Sequence, residues 1–108
     1  MIEKINYENC AKIFTALSDP TRLRLVDLLL STDEISCSEI AEQLDISLSL
    51  SCHHLKVLTE AGLAKNYKKG QARYYSLDRA VLNSTLESLT GRTSPHVQGT
   101  PKMGIVSG

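Results

Sequence analysis

Along most of this chain apolar residues recur at helical spacing, and only one stretch alternates instead. Tyr7, Cys10, Ile13, Phe14 and Leu17 lie at i, i+3, i+4 intervals and predict a helix over 7–17. Asp19-Pro20 opens the next one, since Asp caps helix starts well and Pro suits the first helical position. In TRLRLVDLLL, Leu23, Val26 and Leu30 line one side with Leu25, Leu28 and Leu29 beside them. A helix apolar over most of its circumference is expected at the centre of the core. Ser31-Thr32-Asp33 ends it. Ser36-Cys37-Ser38-Glu39 spells a capping box for a short third helix with Cys37, Ile40, Ala41 and Leu44 on one face. Asp45-Ile46 forms a turn, and Ser47 caps a fourth helix running to about Ala61, where Gly62 supplies a left-handed terminus.

The alternating stretch comes next. Residues 63–67 and 72–77 are rich in Tyr, with Lys69-Gly70-Gln71 between them, and predict a β-hairpin. Asp78 caps a last helix over 79–89, with Val81, Leu82, Thr85, Leu86 and Leu89 along it. From Gly91 the sequence is dense in Gly, Pro, Ser and Thr, as expected of a loose tail over 91–108 rather than a second domain. The folded unit is then residues 1–90. Its order, α-α-α-α-β-β-α, is mainly helical with a β-hairpin wing: a winged helix-turn-helix.

Charge sharpens this picture. The 12 basic and 12 acidic residues cancel, yet they are segregated. Residues 1–45 hold nine acids and four bases, whereas 46–79 hold six bases and two acids. A nucleic-acid backbone is attracted to the second block and repelled by the first. The alternative is an ordinary solvated basic surface.

The wheel of the fourth helix selects the residues that meet DNA. Ser49, Cys52, His53 and Lys56 share one polar face, and the amides beside Ser47 favour a phosphate. Small side chains there allow close approach to base edges, while His53 and Lys56 donate to bases or phosphates. Leu48, Ser51, Leu55 and Leu58 form the expected core stripe, flanked by Leu50, His54 and Val57. For His54 a hydrogen-bonded, half-buried ring competes with a phosphate contact. Lys68, Lys69 and Arg73 cluster at the hairpin tip as candidate backbone contacts, and Tyr74 or Tyr75, on alternate faces, anchors the wing to the core.

Other chemistry is sparse. No nucleophile–base–orienter set, Gly-rich phosphate loop or metal triad marks an enzyme, and no cofactor is called for. A protein-interaction module would carry aromatics or aliphatics on the polar face of the fourth helix, where Ser49, Cys52, His53 and Lys56 stand. No apolar run nears the roughly 18–20 residues that cross a bilayer, and MIEKINYENCAK has no signal-peptide core, so a cytoplasmic protein is expected. Cys10, Cys37 and Cys52 form no paired framework. Cys10 and Cys37 lie on apolar helix faces, where buried, inert thiols are expected. Cys52 lies on the proposed DNA face beside His53, where the helix dipole and an imidazolium favour a thiolate. Redox sensing through Cys52, with Cys37 and Cys10 as further candidates, stands against a neutral Ser-to-Cys replacement.

In ALSDPTRLRLVDLL (16–29), EISCSEIAEQL (34–44), SCHHLKVLTEAGL (51–63) and KKGQARYYSL (68–77) the chain resembles the ArsR/SmtB family of small bacterial repressors. The resemblance spans roughly residues 8–90. It implies a homodimer built from the first and last helices, with each subunit reading half of an inverted repeat in double-stranded DNA, and repression relieved by an effector. Many members bind metal through a pattern like Glu-Leu-Cys-Val-Cys-Asp-Leu. Here the two ligand positions are Ser36 and Ser38, and Cys37 replaces the residue between them. Members that use the last helix place Asp and His there, whereas 79–89 offers Glu87 and no His, and His96 has no partner at metal spacing. Three effector readings follow: a thiol-redox sensor, a metal sensor with an atypical site, and a repressor without a small effector.

Overall fold

The computed structural model describes residues 6–90; the expected tail over 91–108 lies outside the described residues. The elements are α1 (Tyr7–Leu17), α2 (Pro20–Leu30), β1 (Ile35–Ser36), α3 (Cys37–Leu44), α4 (Leu48–Glu60), β2 (Ala64–Lys69), β3 (Ala72–Leu77) and α5 (Arg79–Thr90). This is the expected winged helix-turn-helix with one addition. The two-residue strand β1 pairs antiparallel with β3, Ile35 opposite Tyr75, giving a three-stranded sheet in the order β1-β3-β2. A strand this short leaves no alternation to detect. Ile35 is held there by burial against the core.

Side chains cap the helix starts, four as the sequence proposes and Asn6 in addition. Asn6, Asp19, Ser36, Ser47 and Asp78 each accept from the amide three residues on. At Ser36 the box is complete, because the Glu39 carboxylate also accepts from the Ser36 amide at 3.0 Å. α4 ends in a Schellman motif: the Leu63 amide donates to Leu58 and the Gly62 amide to Thr59, with Gly62 at φ +85°. α3 ends with the same pair of bonds, Ile46 to Ala41 and Asp45 to Glu42, and Asp45 takes the left-handed position. The α3 termination sets the angle at which α4 leaves α3, and the α4 termination turns the chain into the hairpin.

The core joins Ile13 and Ala16 of α1, Leu25, Val26 and Leu29 of α2, and Ile40 and Leu44 of α3. Leu55 and Leu58 of α4 and Leu63, Ala64 and Leu77 at the hairpin base complete it. Two expectations need correction. In α2 the buried side is Leu25–Val26–Leu29, while Leu23 and Leu30 are exposed, so α2 is not buried all round. The neighbouring helices cover only one side of it. In α4 Leu48 is 53% exposed rather than part of the core stripe. At the first turn α4 has not yet reached the hydrophobic contact that begins with Ser51.

Candidate nucleic-acid interface

α4 divides sharply. Ser51, His54, Leu55 and Leu58 are buried, while Ser49, Cys52, His53 and Lys56 are exposed. The side that the wheel assigns to DNA therefore faces solvent. Ser47, at the cap, is exposed too, and its hydroxyl oxygen accepts from the Leu50 amide at 3.0 Å. Leu48 and Leu50 add exposed apolar surface at the same end. Sequence reasoning gave them no contact role. Apolar side chains at the entry of such a helix suit thymine methyl groups.

Polar contacts on the buried side hold α4 in place. Ser51, fully buried, donates its hydroxyl to the Cys37 carbonyl at 3.0 Å and so fixes the start of α3 against α4. His54, 7% exposed, meets the Arg22 guanidinium at 3.2 Å through Nδ1. Arg carries only donors, so Nδ1 accepts and the neutral ring keeps its proton on Nε2. Burial lowers the His54 pKa, and the Arg22 and His53 charges push the same way against the opposing pull of Asp19. Arg22 also donates through Nε to the Ala16 carbonyl at 2.6 Å, tying the end of α1 to α4. Asp19, whose carboxylate accepts from the Arg22 amide, is held below its ordinary pKa by that bond first, with the Arg22 charge adding to it.

The hairpin register decides where the wing cations point. Gly70, at φ +65°, opens a two-residue turn with Gln71, one residue tighter than the sequence suggested. Lys68 then sits opposite Arg73, Asn66 opposite Tyr75, and Lys69 opposite Ala72. Because side chains alternate across a sheet, Lys68 and Arg73 share one face and Lys69 takes the other. Arg73, Asn66 and Tyr75 line a groove against α4, with Arg73 donating to the Asn66 side-chain oxygen at 2.6 Å. Tyr75 packs on the core and is the anchor. Tyr74 instead stacks on Tyr67, their ring centres 6.1 Å apart. Lys69 pairs with Glu34 at 3.2 Å on the far face, in a solvent-exposed bridge that contributes little stability. Lys68, Lys69 and Arg73 thus do not form one cluster.

The cysteines give the largest departure from expectation. Cys37 is neither buried nor isolated: it is half-buried and joined to Cys52 by a disulfide, with the Cα atoms 6.0 Å apart. The Ser51–Cys37 contact brings the first residue of α3 beside the second turn of α4. Sequence spacing alone could not reveal this, since the two cysteines are 15 positions apart with a turn between them. Cys37 Sγ also lies 3.5 Å from Ser51 Oγ. Cys52, the fifth residue of α4, stands beyond the first turn, where the helix field has largely decayed, so that part of the case for its reactivity weakens. Cys10 is buried in α1. Among the described residues no three His, Cys, Asp or Glu side chains converge as a metal site, and no helix is long and apolar enough to cross a membrane.

Comparison with known proteins agrees with this geometry. Residues 17–65 match a family described as a helix-turn-helix domain. The chain is 40% identical over 74 residues to the transcriptional repressor SdpR of Bacillus subtilis (strain 168), covering 68% of this chain and 81% of that protein. It is 38% identical over 86 residues to a cadmium resistance transcriptional regulatory protein CadC homolog of Staphylococcus aureus, covering 80% and 71%. The structure of an ArsR-like transcriptional regulator from Rhodococcus sp. RHA1 matches with a TM-score of 0.72 at 33% identity over 79% of both chains. The chain belongs to the ArsR/SmtB family of winged helix-turn-helix transcriptional repressors.

Proposed function

We propose that this repressor acts in the cytoplasm as a homodimer on an inverted-repeat operator and that thiol oxidation or reactive sulfur releases it. α4 enters the major groove with Ser47, Ser49, Cys52, His53 and Lys56 facing DNA. Lys68 and Arg73 follow the backbone from the wing. Exposed apolar side chains on the terminal helices, Tyr7 of α1 and Leu86 and Leu89 of α5, support pairing with a second copy.

The observation that carries the effector reading is the meeting of Cys37 and Cys52 on the DNA side of α4. As free thiols they leave Cys52 on the exposed polar face. As a disulfide they lock that residue to the start of α3 and change what the face presents to a base edge. A metal sensor is the rival, and the likeness to a cadmium resistance regulatory protein homolog favours it.

The test is fluorescence anisotropy with the chain's own promoter fragment, first with reduced protein, then with peroxide, polysulfide, Zn²⁺ or arsenite. The expected result is release by peroxide or polysulfide, reversed by a thiol reductant and lost in Cys52→Ser. Release by metal ions alone, or an unchanged oxidant response in Cys52→Ser, defeats the redox reading.

A further inference from the structure

A groove of about 440 Å³ runs between α4 and the wing, with Cys52 on its wall. This volume lies within the range of about 300–1,000 Å³ typical of small-ligand sites. Two cations face it from different elements: Lys56, one turn beyond Cys52 on α4, and Arg73 of β3, steadied by Asn66. Glu60 lies at the same groove and is the one acid among its lining residues, which also include Thr59 and Tyr75. An exposed sulfur and two exposed cations from different elements describe a place for a small anion that also reacts with sulfur.

We propose that this groove is a modification site: the oxidised pair is opened at Cys52 by a small anionic thiol, which stays there as a mixed disulfide. The proposal rests on the redox reading above. The thiolate of the incoming molecule attacks Cys52 Sγ, a new sulfur–sulfur bond forms, and the Cys37–Cys52 bond breaks. Its electron pair leaves on Cys37 as a thiolate. The incoming sulfur is oxidised, Cys37 is reduced, and no further oxidant or reductant is needed.

Two features select Cys52 as the sulfur attacked. Cys52 is exposed, whereas Cys37 is half-buried against α4. Cys37 is also the better leaving group by position. It is the first residue of α3, where the helix amides favour an anion. The ligand class follows from the lining: a carboxylate or sulfonate on the thiol meets Lys56 and Arg73. With the groove filled, the adduct stands where α4 and the wing must straddle the DNA backbone, so thiolation prolongs release after the disulfide itself has opened.

The test uses the full chain in its disulfide form, without DNA. It is mixed with 2-mercaptoethanesulfonate or with the similarly sized neutral 2-mercaptoethanol, each rate being normalised to that thiol's reaction with a small soluble disulfide. The adduct is mapped by peptide mass spectrometry. The expected result is an adduct on Cys52 and a roughly threefold to tenfold preference for the sulfonate at low salt. That preference should collapse in high salt and in a Lys56→Gln/Arg73→Gln double variant, whose exposed substitutions leave the core intact. An adduct on Cys37, or equal normalised rates for the two thiols, overturns the proposal while leaving the redox reading standing. Failure of the wild-type chain to form the Cys37–Cys52 disulfide under peroxide overturns the redox reading, and this proposal with it.

Discussion

His53 and His54 are neighbours in α4 with opposite surroundings. His53 faces solvent beside Cys52, while His54 is buried against Arg22. The same division runs the length of the helix: Ser49, Cys52 and Lys56 lie outside, and Ser51, Leu55 and Leu58 lie inside. The outer side has few protein partners and is free to meet DNA. On the inner side Ser51 and His54 fix the helix, Ser51 to α3 and His54 to the α1–α2 corner. Position is thus carried by one side of the helix, and the recognition proposed above by the other. The Cys37–Cys52 bond is the link between them, since it ties an outer residue to the element that the inner residues hold.

The largest effect should come from testing that division directly with Leu55→Ala and Lys56→Ala. Leu55 is fully buried, so its truncation should cost about 2–5 kcal/mol in urea denaturation. Lys56→Ala should stay within roughly 0.5 kcal/mol of the parent and lower DNA affinity. Comparable destabilisation by both would erase the distinction between the two sides.

Ser51→Ala and Cys52→Ser compare adjacent positions more finely. Removing the Ser51 hydroxyl leaves the Cys37 carbonyl without that donor and should cost about 1 kcal/mol or somewhat more. Under reducing conditions Cys52→Ser, on the exposed side, should be nearly neutral in the same denaturation. The Ser51 variant should also form the Cys37–Cys52 disulfide more slowly, because the contact that aligns the two helices is gone. Equal rates of disulfide formation in the parent and in Ser51→Ala would show that Ser51 plays no part in alignment.

Much of this division was legible in the sequence, because 3.6-residue periodicity reports which side chains share a face. The caps were legible for a local reason: Asp19, Ser36, Ser47 and Asp78 each bond three residues away. What escaped depends on contacts between elements. Leu48 has the spacing of a core residue, yet its side chain is about half exposed. Cys37 has the spacing of an inert one, yet α4 places Cys52 beside it. The split among the wing cations hung on one residue of turn length. A three-residue turn over Lys69-Gly70-Gln71 leaves Lys69 in the loop, whereas the two-residue turn puts it in the ladder on the face opposite Arg73.

A pH comparison tests the inner side through His54. Its pKa is lowered in the fold, chiefly by burial. As pH falls through the unfolded value of about 6.5, the unfolded chain takes up a proton that the folded chain refuses, so stability is lost. The loss stops once pH passes below the folded value. His54→Gln keeps an acceptor for Arg22 and removes the titration. Urea midpoints at pH 7.5 and 5.5 should therefore differ more for the parent than for the variant. His53→Gln, on the exposed side, should leave the parent's difference intact. Equal pH sensitivity in parent and His54→Gln would mean that the ring is not held neutral.

The smallest effect distinguishes the two faces of the wing. Lys68 and Arg73 share the face that looks onto the α4 groove, while Lys69 sits on the other face with Glu34. If the first two each neutralise one backbone phosphate, Lys68→Ala and Arg73→Ala should each reduce the slope of log affinity against log salt by roughly 0.9. Lys69→Ala should change it by less than half of that, because the ammonium is already paired and points away from α4. Both kinds of change should weaken binding to all sequences alike, as backbone contacts carry no base information. A full unit of slope lost in Lys69→Ala, with none lost in Arg73→Ala, would place the DNA on the far face of the hairpin. α4 and the wing would then no longer form one surface.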